Sequence, residues 1–309
     1  MESDLVKEKF DDYKASIQEY DAVVIGSSKV YRHISPKIIG DKTGLNLFNF
    51  GIPHLLVPRS IELAKKLVIE NPSLKILVFE LSTPILANRG LSESIYSIDH
   101  NDTYKLLKHY LTIDYSLDFK RKNIRRVVNH WGFKYFGFGL STTANRYFDT
   151  QMSTMEVPKS NGYISLEHEL KITNDPMLKK RKNSVLSEIE LENIKKINSS
   201  QIFDIWELDP LSNDVLQLIE FCESNNVKLI YLISPLWFTR DQIKYIQSLK
   251  GELGEKYIID LSIADKYPEF YMRKHLFDKG HLNDSGSEIF SKLLAELIAN
   301  KLSGTRLSH

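Results

Sequence analysis

Asp278 and His281 stand three residues apart in Phe277-Asp278-Lys279-Gly280-His281-Leu282-Asn283, just ahead of a final helix-like segment. In a turn, this spacing lets the carboxylate hold the imidazole in one tautomer while the other ring nitrogen faces a nucleophile. A candidate nucleophile lies at the opposite end of the chain. Asp21-Ala22-Val23-Val24-Ile25-Gly26-Ser27-Ser28 reads as a buried strand that ends in Gly-Ser-Ser. A serine hydroxyl is a weak nucleophile until a base takes its proton. A strand-to-helix turn lifts the side chain out of the sheet and aims backbone N–H groups at a developing oxyanion, and Gly26 allows the tight bend. Plainer readings exist for the same residues. Ser27 or Ser28 can cap the following helix, and Asp284 or Ser285 can cap the last helix beside an incidental histidine. Capping explains the helix start but not the Asp-x-x-His spacing, and the two roles can coexist.

The elements that must position these residues alternate. Residues 22–26, 45–50, 75–81, 228–234 and 257–261 are short, nearly continuous apolar runs and read as strands. That character suits a parallel sheet covered on both faces. Residues 56–71, 209–225, 239–251 and 285–302 read as helices. The last carries Ile289, Phe290, Leu293, Leu294, Leu297 and Ile298 as one apolar stripe. Such alternation predicts an open, mostly parallel α/β sheet with ligands at the carboxyl ends of its strands. Residues 1–19 predict an amphipathic helix with Leu5, Phe10, Tyr13 and Ile17 on its apolar side.

The alternation stops between about residues 83 and 207. This stretch is aromatic (Trp131, Phe133, Tyr135, Phe136, Phe138) and basic (Lys120-Arg121-Lys122, Lys179-Lys180-Arg181-Lys182). Helices are expected at 102–113, 117–130 and 185–197. The stretch reads as a mostly helical insertion after the third strand, a cap packed over the carboxyl edge of the sheet. The resulting division is an N-terminal helix (1–19), an α/β domain (20–82 and 208–303), the insertion (83–207) and a short tail (304–309).

These residues resemble a known family. Gly26-Ser27-Ser28, then Asn49-Phe50-Gly51 after the second strand, then Asp278-x-x-His281 before the last helix, look like SGNH/GDSL-type hydrolases. The Gly-Ser-Ser first block is similar to the subgroup found in surface-polymer acyl-transfer proteins, the DltD-like and MBOAT-associated ones. The resemblance covers roughly 20–82 and 208–302. It implies a three-layer, flavodoxin-like fold with a five-stranded sheet. It also implies Ser28 as nucleophile, His281 as base, Asp278 as its orienting partner, and the Ser28 and Gly51 N–H groups as oxyanion donors. The family places an Asn after its third strand, in a Gly-x-Asn-Asp motif. Here the strand runs into Phe79-Glu80-Leu81-Ser82-Thr83-Pro84, so a Ser82 or Thr83 hydroxyl would have to serve as third donor. Losing one donor can cost ~10²–10³ in rate.

Other residues have weaker readings. His54, close after Gly51, could line the pocket, although a lone loop histidine is more often structural or solvated. Trp237, in Ser234-Pro235-Leu236-Trp237-Phe238 at the end of the fourth strand, could pack against an acyl group or a sugar face, or simply belong to the core. The basic runs at 120–126 and 179–182 are solvated helix faces or contacts to an anionic glycan or lipid surface. Cys222, in an apolar-periodic stretch, is expected to be a buried thiol. No Cys pair, His-Glu-x-x-His or carboxylate cluster at ligand spacing supports a metal, and Gly-Ser-Ser-Lys matches neither common nucleotide fingerprint. No cofactor is expected.

Composition sets wider bounds. The 309 residues are 42% hydrophobic and 26% charged, ordinary values for a globular chain, and the net charge of +1 gives no general attraction to nucleic acid. No run reaches the ~18 apolar residues of a membrane span, and no signal-peptide core is visible. Read from Met1, the chain is expected in the cytoplasm; with an anchor upstream of Met1 it would belong to the cell envelope. The expected activity is a serine-dependent esterase or O-acyltransferase acting on an acyl ester or a glycan, since one triad serves both outcomes. The rival is a non-catalytic scaffold of the same fold that binds a glycan or a membrane acyltransferase partner.

Overall fold

Each of the five expected apolar runs forms a strand. They are β1 (Ala22–Gly26), β2 (Leu47–Gly51), β3 (Ile76–Glu80), β4 (Lys228–Ile233) and β5 (Ile258–Asp260). The computed structural model describes residues 2–53, 55, 57–81, 161–198, 210–235 and 240–303. The sheet is wholly parallel in the order β2-β1-β3-β4-β5. This is the flavodoxin-like doubly wound order, and its direction of winding reverses between β1 and β3.

Successive side chains point to opposite faces, and both faces are buried. Ala22, Val24, Ile76, Val78, Ile230, Leu232 and Ile259 share one core with Phe290, Leu294 and Ile298. On the alternate positions, Val23, Ile25, Leu77, Phe79, Leu229 and Tyr231 are also buried. Phe79 and Tyr231 meet edge to face with ring centroids 5.7 Å apart. Burial on both faces is why these strands read as continuous apolar runs rather than alternating ones.

The helices are α1 (Glu2–Ala15), α2 (Ser28–His33), α3 (Pro36–Thr43), α4 (Val57–Glu70), α5 (Leu166–Thr173), α6 (Pro176–Lys182), α7 (Glu188–Asn198), α8 (Pro210–Ser224), α9 (Arg240–Leu253) and α10 (Asp284–Ser303). Among the described residues, no helix is long and apolar enough to cross a membrane. Tyr13 of α1 is fully buried and packs against Tyr20, Phe48 and Phe50. Cys222 is buried, and burial pushes its thiol up to about 12, which makes it inert.

Two compact units divide the chain: residues 1–11 with 85–157, and residues 12–84 with 158–309. The boundary expected at 207 is therefore displaced. Leu186 and Leu191, assigned by sequence to the insertion, are buried in the main core, and Leu166 and Leu178 bury against Phe277. Leu166 of α5, Leu178 of α6 and Leu191 of α7 thus serve the α/β unit directly. The helices expected at 102–113 and 117–130 lie outside the described residues.

Gly51 marks the closest backbone approach in the site region. A Cβ there would fall 2.1 Å from Tyr31 N and 2.4 Å from Tyr31 Cα, so helix α2 can cross the end of β2 only over a glycine. Gly51→Ala is expected to destabilise the fold by roughly 3 kcal/mol in urea denaturation, because backbone cannot yield as a side chain can. Gly251→Ala, on α9 with nothing within 4 Å of the added methyl, should instead be neutral or gain about 0.5–1 kcal/mol. Equal midpoints for the two variants would contradict this packing.

Candidate active site

The turn after β1 separates the roles of its two serines. Ser27 is the N-cap of α2, its hydroxyl accepting from Lys29 N at 3.2 Å. Ser28, one residue on, begins the helix. Its Oγ lies 2.9 Å from His281 Nε2, although 253 positions separate the two in the chain. His281 Nδ1 lies 2.9 Å from Asp278 Oδ1. The carboxylate accepts from Nδ1–H, which leaves Nε2 unprotonated and able to accept from the Ser28 hydroxyl. Capping and triad geometry thus coexist in one turn. At the other end, the cap of α10 is Asn283, whose Oδ1 accepts from Gly286 N at 3.0 Å and Ser285 Oγ at 2.8 Å.

Helix α2 has only six residues, too few to be stable alone. Its last carbonyls are held by side chains from two other elements. Asn49 Nδ2 donates to Val30 O and Ile34 O, both at 2.8 Å. Ser287 and Ser291 of α10 donate to Arg32 O at 3.2 Å and His33 O at 2.9 Å. The helix also grips the His281 turn, since Leu282 N donates to His33 Nε2 at 3.0 Å. An accepting Nε2 fixes the proton of neutral His33 on Nδ1, a buried atom with no partner among the described residues.

Asn49 carries a correction to the oxyanion expectation. Its Oδ1 accepts the Gly51 N–H at 2.7 Å. Gly51 therefore turns its N–H toward its own strand, and its small size serves the passage of α2. The Ser28 N–H makes no hydrogen bond among the described residues. Ser82, His54 and Trp237, the remaining sequence candidates, lie outside the described residues.

Glu80, Lys29, His33 and Arg181 were not singled out as site residues from the sequence. Glu80 ends β3, is buried, and accepts the Ser27 N–H at 2.7 Å. Gly26 makes room for it: a Cβ there would lie 2.6 Å from Glu80 Oε2. The Lys29 ammonium donates to Pro235 O at 3.0 Å; burial pushes its pKa down to about 8, and the Glu80 charge opposes that shift. Arg181, from the run read as a solvated face or a contact to an anionic surface, donates to Asp278 Oδ2 from Nε at 2.9 Å and from Nη2 at 2.6 Å. A signal for one of these existed: Glu80 is the charged interruption in an otherwise apolar strand run.

Burial would raise the Asp278 pKa, but the His281 hydrogen bond and charge, the Gly280 N–H and Arg181 outweigh it and hold the group below the usual carboxylate value. His281 is lowered by burial; Asp278 opposes this, and Arg181 and Arg32 reinforce it. His33 is lowered further, by burial first and then by the charges of His281 and Lys29.

No family model matches the chain, and no curated protein matches it. The fold and the site therefore define the class themselves: a doubly wound α/β protein with a Ser–His–Asp relay at the carboxyl edge of its sheet.

A histidine whose pKa is depressed by folding contributes stability that is complete above its unfolded value of about 6.5 and is lost as pH falls, because the unfolded chain takes up the proton first. The depressed Asp278 adds a loss that begins only in the carboxylate range. His33→Gln keeps an acceptor for Leu282 N–H but cannot titrate. Its stability should fall less steeply than the wild type's between about pH 7.5 and 5. His33→Phe leaves that N–H unpaired and should cost about 1–3 kcal/mol at neutral pH. Parallel pH curves for wild type and His33→Gln would exclude His33 as a source of acid lability.

Proposed function

We propose that this chain is a serine-dependent acyl-transfer enzyme of the SGNH/GDSL type that acts on a carboxyl ester. One observation carries the reading: the continuous relay Ser28 Oγ–His281 Nε2 and His281 Nδ1–Asp278 Oδ1, each step 2.9 Å. In the reaction, Ser28 Oγ attacks the ester carbonyl carbon while His281 Nε2 takes its proton. The tetrahedral intermediate collapses and expels the alcohol, which leaves with that proton. The acyl group is then on Ser28. A second hydroxyl gives its proton to Nε2 and attacks the acyl carbon, and Ser28 leaves with the proton restored. Water as that second hydroxyl gives hydrolysis; a sugar or polyol hydroxyl gives O-acyl transfer. The Ser28 N–H, at the start of α2, is the donor this reading assigns to the oxyanion.

One observation favours the non-catalytic rival, a scaffold that binds a glycan or a membrane acyltransferase. With the Gly51 N–H donated to Asn49, Ser28 N–H is the one oxyanion donor assigned among the described residues. A single donor suits slow chemistry or none.

Labelling with a fluorophosphonate probe separates the readings, since it requires an activated serine but no knowledge of the acyl group. Wild type should label at a single site, and Ser28→Ala should not label. p-Nitrophenyl acetate should turn over slowly, with His281→Ala reducing turnover at least ~10³-fold and Asp278→Asn ~10²–10⁴-fold through loss of the correct tautomer. Acylated glycan detected by mass spectrometry across an acceptor panel would establish transfer over hydrolysis. Labelling that persists in Ser28→Ala would sink the assignment. Absence of any Ser28-dependent chemistry, with glycan binding intact, would establish the scaffold.

A further inference from the structure

Helices α5 and α6 form a bracket on the turn that carries Asp278. Leu166 of α5 and Leu178 of α6 bury against Phe277, the residue before Asp278. Glu167 of α5 accepts from Asp284 N, beyond the turn, at 3.0 Å and from Lys182 of α6 at 2.8 Å. From the last turn of α6, Arg181 delivers its fork to a single carboxylate oxygen, Oδ2. Oδ1 is left to accept from His281 Nδ1 and from Gly280 N at 2.8 Å. We propose that Arg181 is a positioning residue of the site: by pinning Oδ2 it aims Oδ1 at His281 and so holds the ring with Nε2 toward Ser28. The inference rests on the acyl-transfer reading for its catalytic meaning.

A carboxylate held only through Oδ1 can turn about its terminal bond and offer the ring a poorer acceptor. The planar guanidinium fixes both the oxygen and the plane, which a lysine ammonium cannot do. The guanidinium also acts through charge. Its Nη2 lies 3.2 Å from His281 Nδ1, an approach of two donors when Nδ1 carries its proton, and it disfavours a second proton on the ring. The other groups facing His281 are Ser28, Arg32 and His33 on α2 and Asp278 on its own turn. Arg32 is ion-paired with Glu169 of α5. Of these charges only Asp278 favours the imidazolium. Arg181 thus keeps His281 free of that proton while Asp278 retains its grip.

Two variants separate geometry from charge. Arg181→Met removes both; Arg181→Lys keeps the charge without the fork. The first readout needs no substrate: the His281 imidazole titration by NMR in histidine-labelled protein, its resonance assigned with His281→Asn. The second is the pH dependence of fluorophosphonate labelling of Ser28, with Ser28→Ala as blank. Arg181→Met should raise the His281 midpoint by about one pH unit, move the acid limb of labelling upward with it, and slow labelling at neutral pH roughly 10–100-fold. Arg181→Lys should keep the midpoint near the wild-type value yet still label slowly. A folded Arg181→Met with unchanged midpoint and labelling rate overturns the proposal. If Arg181→Met does not fold, full-rate labelling by Arg181→Lys overturns it instead. If Ser28→Ala labels as well as wild type, the acyl-transfer reading fails, and the NMR midpoint still decides whether Arg181 governs His281.

Discussion

Everything at this site depends on holding still a helix too short to hold itself. Six residues of α2 carry Ser28 at the start and His33 at the end, and a helix of that length has no cooperative reserve. The structure compensates at the carbonyl end, where the orphan acceptors of any helix must find partners. Asn49 from β2 and two serines one turn apart on α10 supply them. Asn49 is buried in the sheet and Ser287 and Ser291 are buried in α10, so the anchors come from the packed interior. The His33–Leu282 bond then ties the same helix to the histidine turn. The Ser28–His281 separation is thereby bridged at both ends of one helix.

The same logic governs the Asp278 turn. A loop carboxylate is useful as an orienting group only if its oxygens are assigned. Here Gly280 N–H and His281 share Oδ1, and Arg181 holds Oδ2. Asp278 is mostly buried, with 8% of its side chain exposed, so water competes little at the bonds to His281 and Gly280, whereas Arg181 reaches in from a partly exposed position. Uncompensated burial of the carboxylate would favour its protonated form. The donors reverse that preference, and the charge that orients His281 persists as a consequence.

The sheet was legible in the sequence because continuous apolar runs have one common meaning in an alternating chain, and all five strands fall within about two residues of their expected ends. The Asp278–His281 pair was legible because i, i+3 spacing in a turn is local. Ser28 needed the family resemblance, since Gly-Ser-Ser alone also fits a cap, and Ser27 does cap. What was not legible is non-local. Arg181 sits among lysines that face solvent, and nothing in Lys179-Lys180-Arg181-Lys182 distinguishes the one side chain that turns inward to a carboxylate 97 positions away. α2 was read only as the helix that follows the Gly-Ser-Ser turn, without bounds, and α3 went unread, because a six-residue and an eight-residue helix carry too few apolar positions to show a period. Gly51 was misread for a related reason. The family resemblance implied an oxyanion donor, whereas the requirement it meets in the structure is steric and comes from Tyr31 on another element.

Glu80 raises a further question, because a buried carboxylate beside a developing oxyanion ought to oppose it. Its placement resolves the conflict. Winding reverses between β1 and β3, which opens a crevice between the loops that follow them, and Glu80 spans that crevice to the Ser27 N–H. A negative group is favourable at a helix N-terminus, where backbone N–H groups lack partners. Glu80 takes the N–H of the capping residue and leaves the next one, on Ser28, with no partner among the described residues. Its charge is balanced by Lys29, whose ammonium is held against Pro235 O at the end of β4. Ser27, Ser28 and Lys29 thus divide three tasks among consecutive residues: capping the helix, presenting the hydroxyl, and offsetting the carboxylate that fixes the turn. Under the proposed reaction, the Lys29 ammonium offsets part of the opposition that Glu80 would present to the oxyanion.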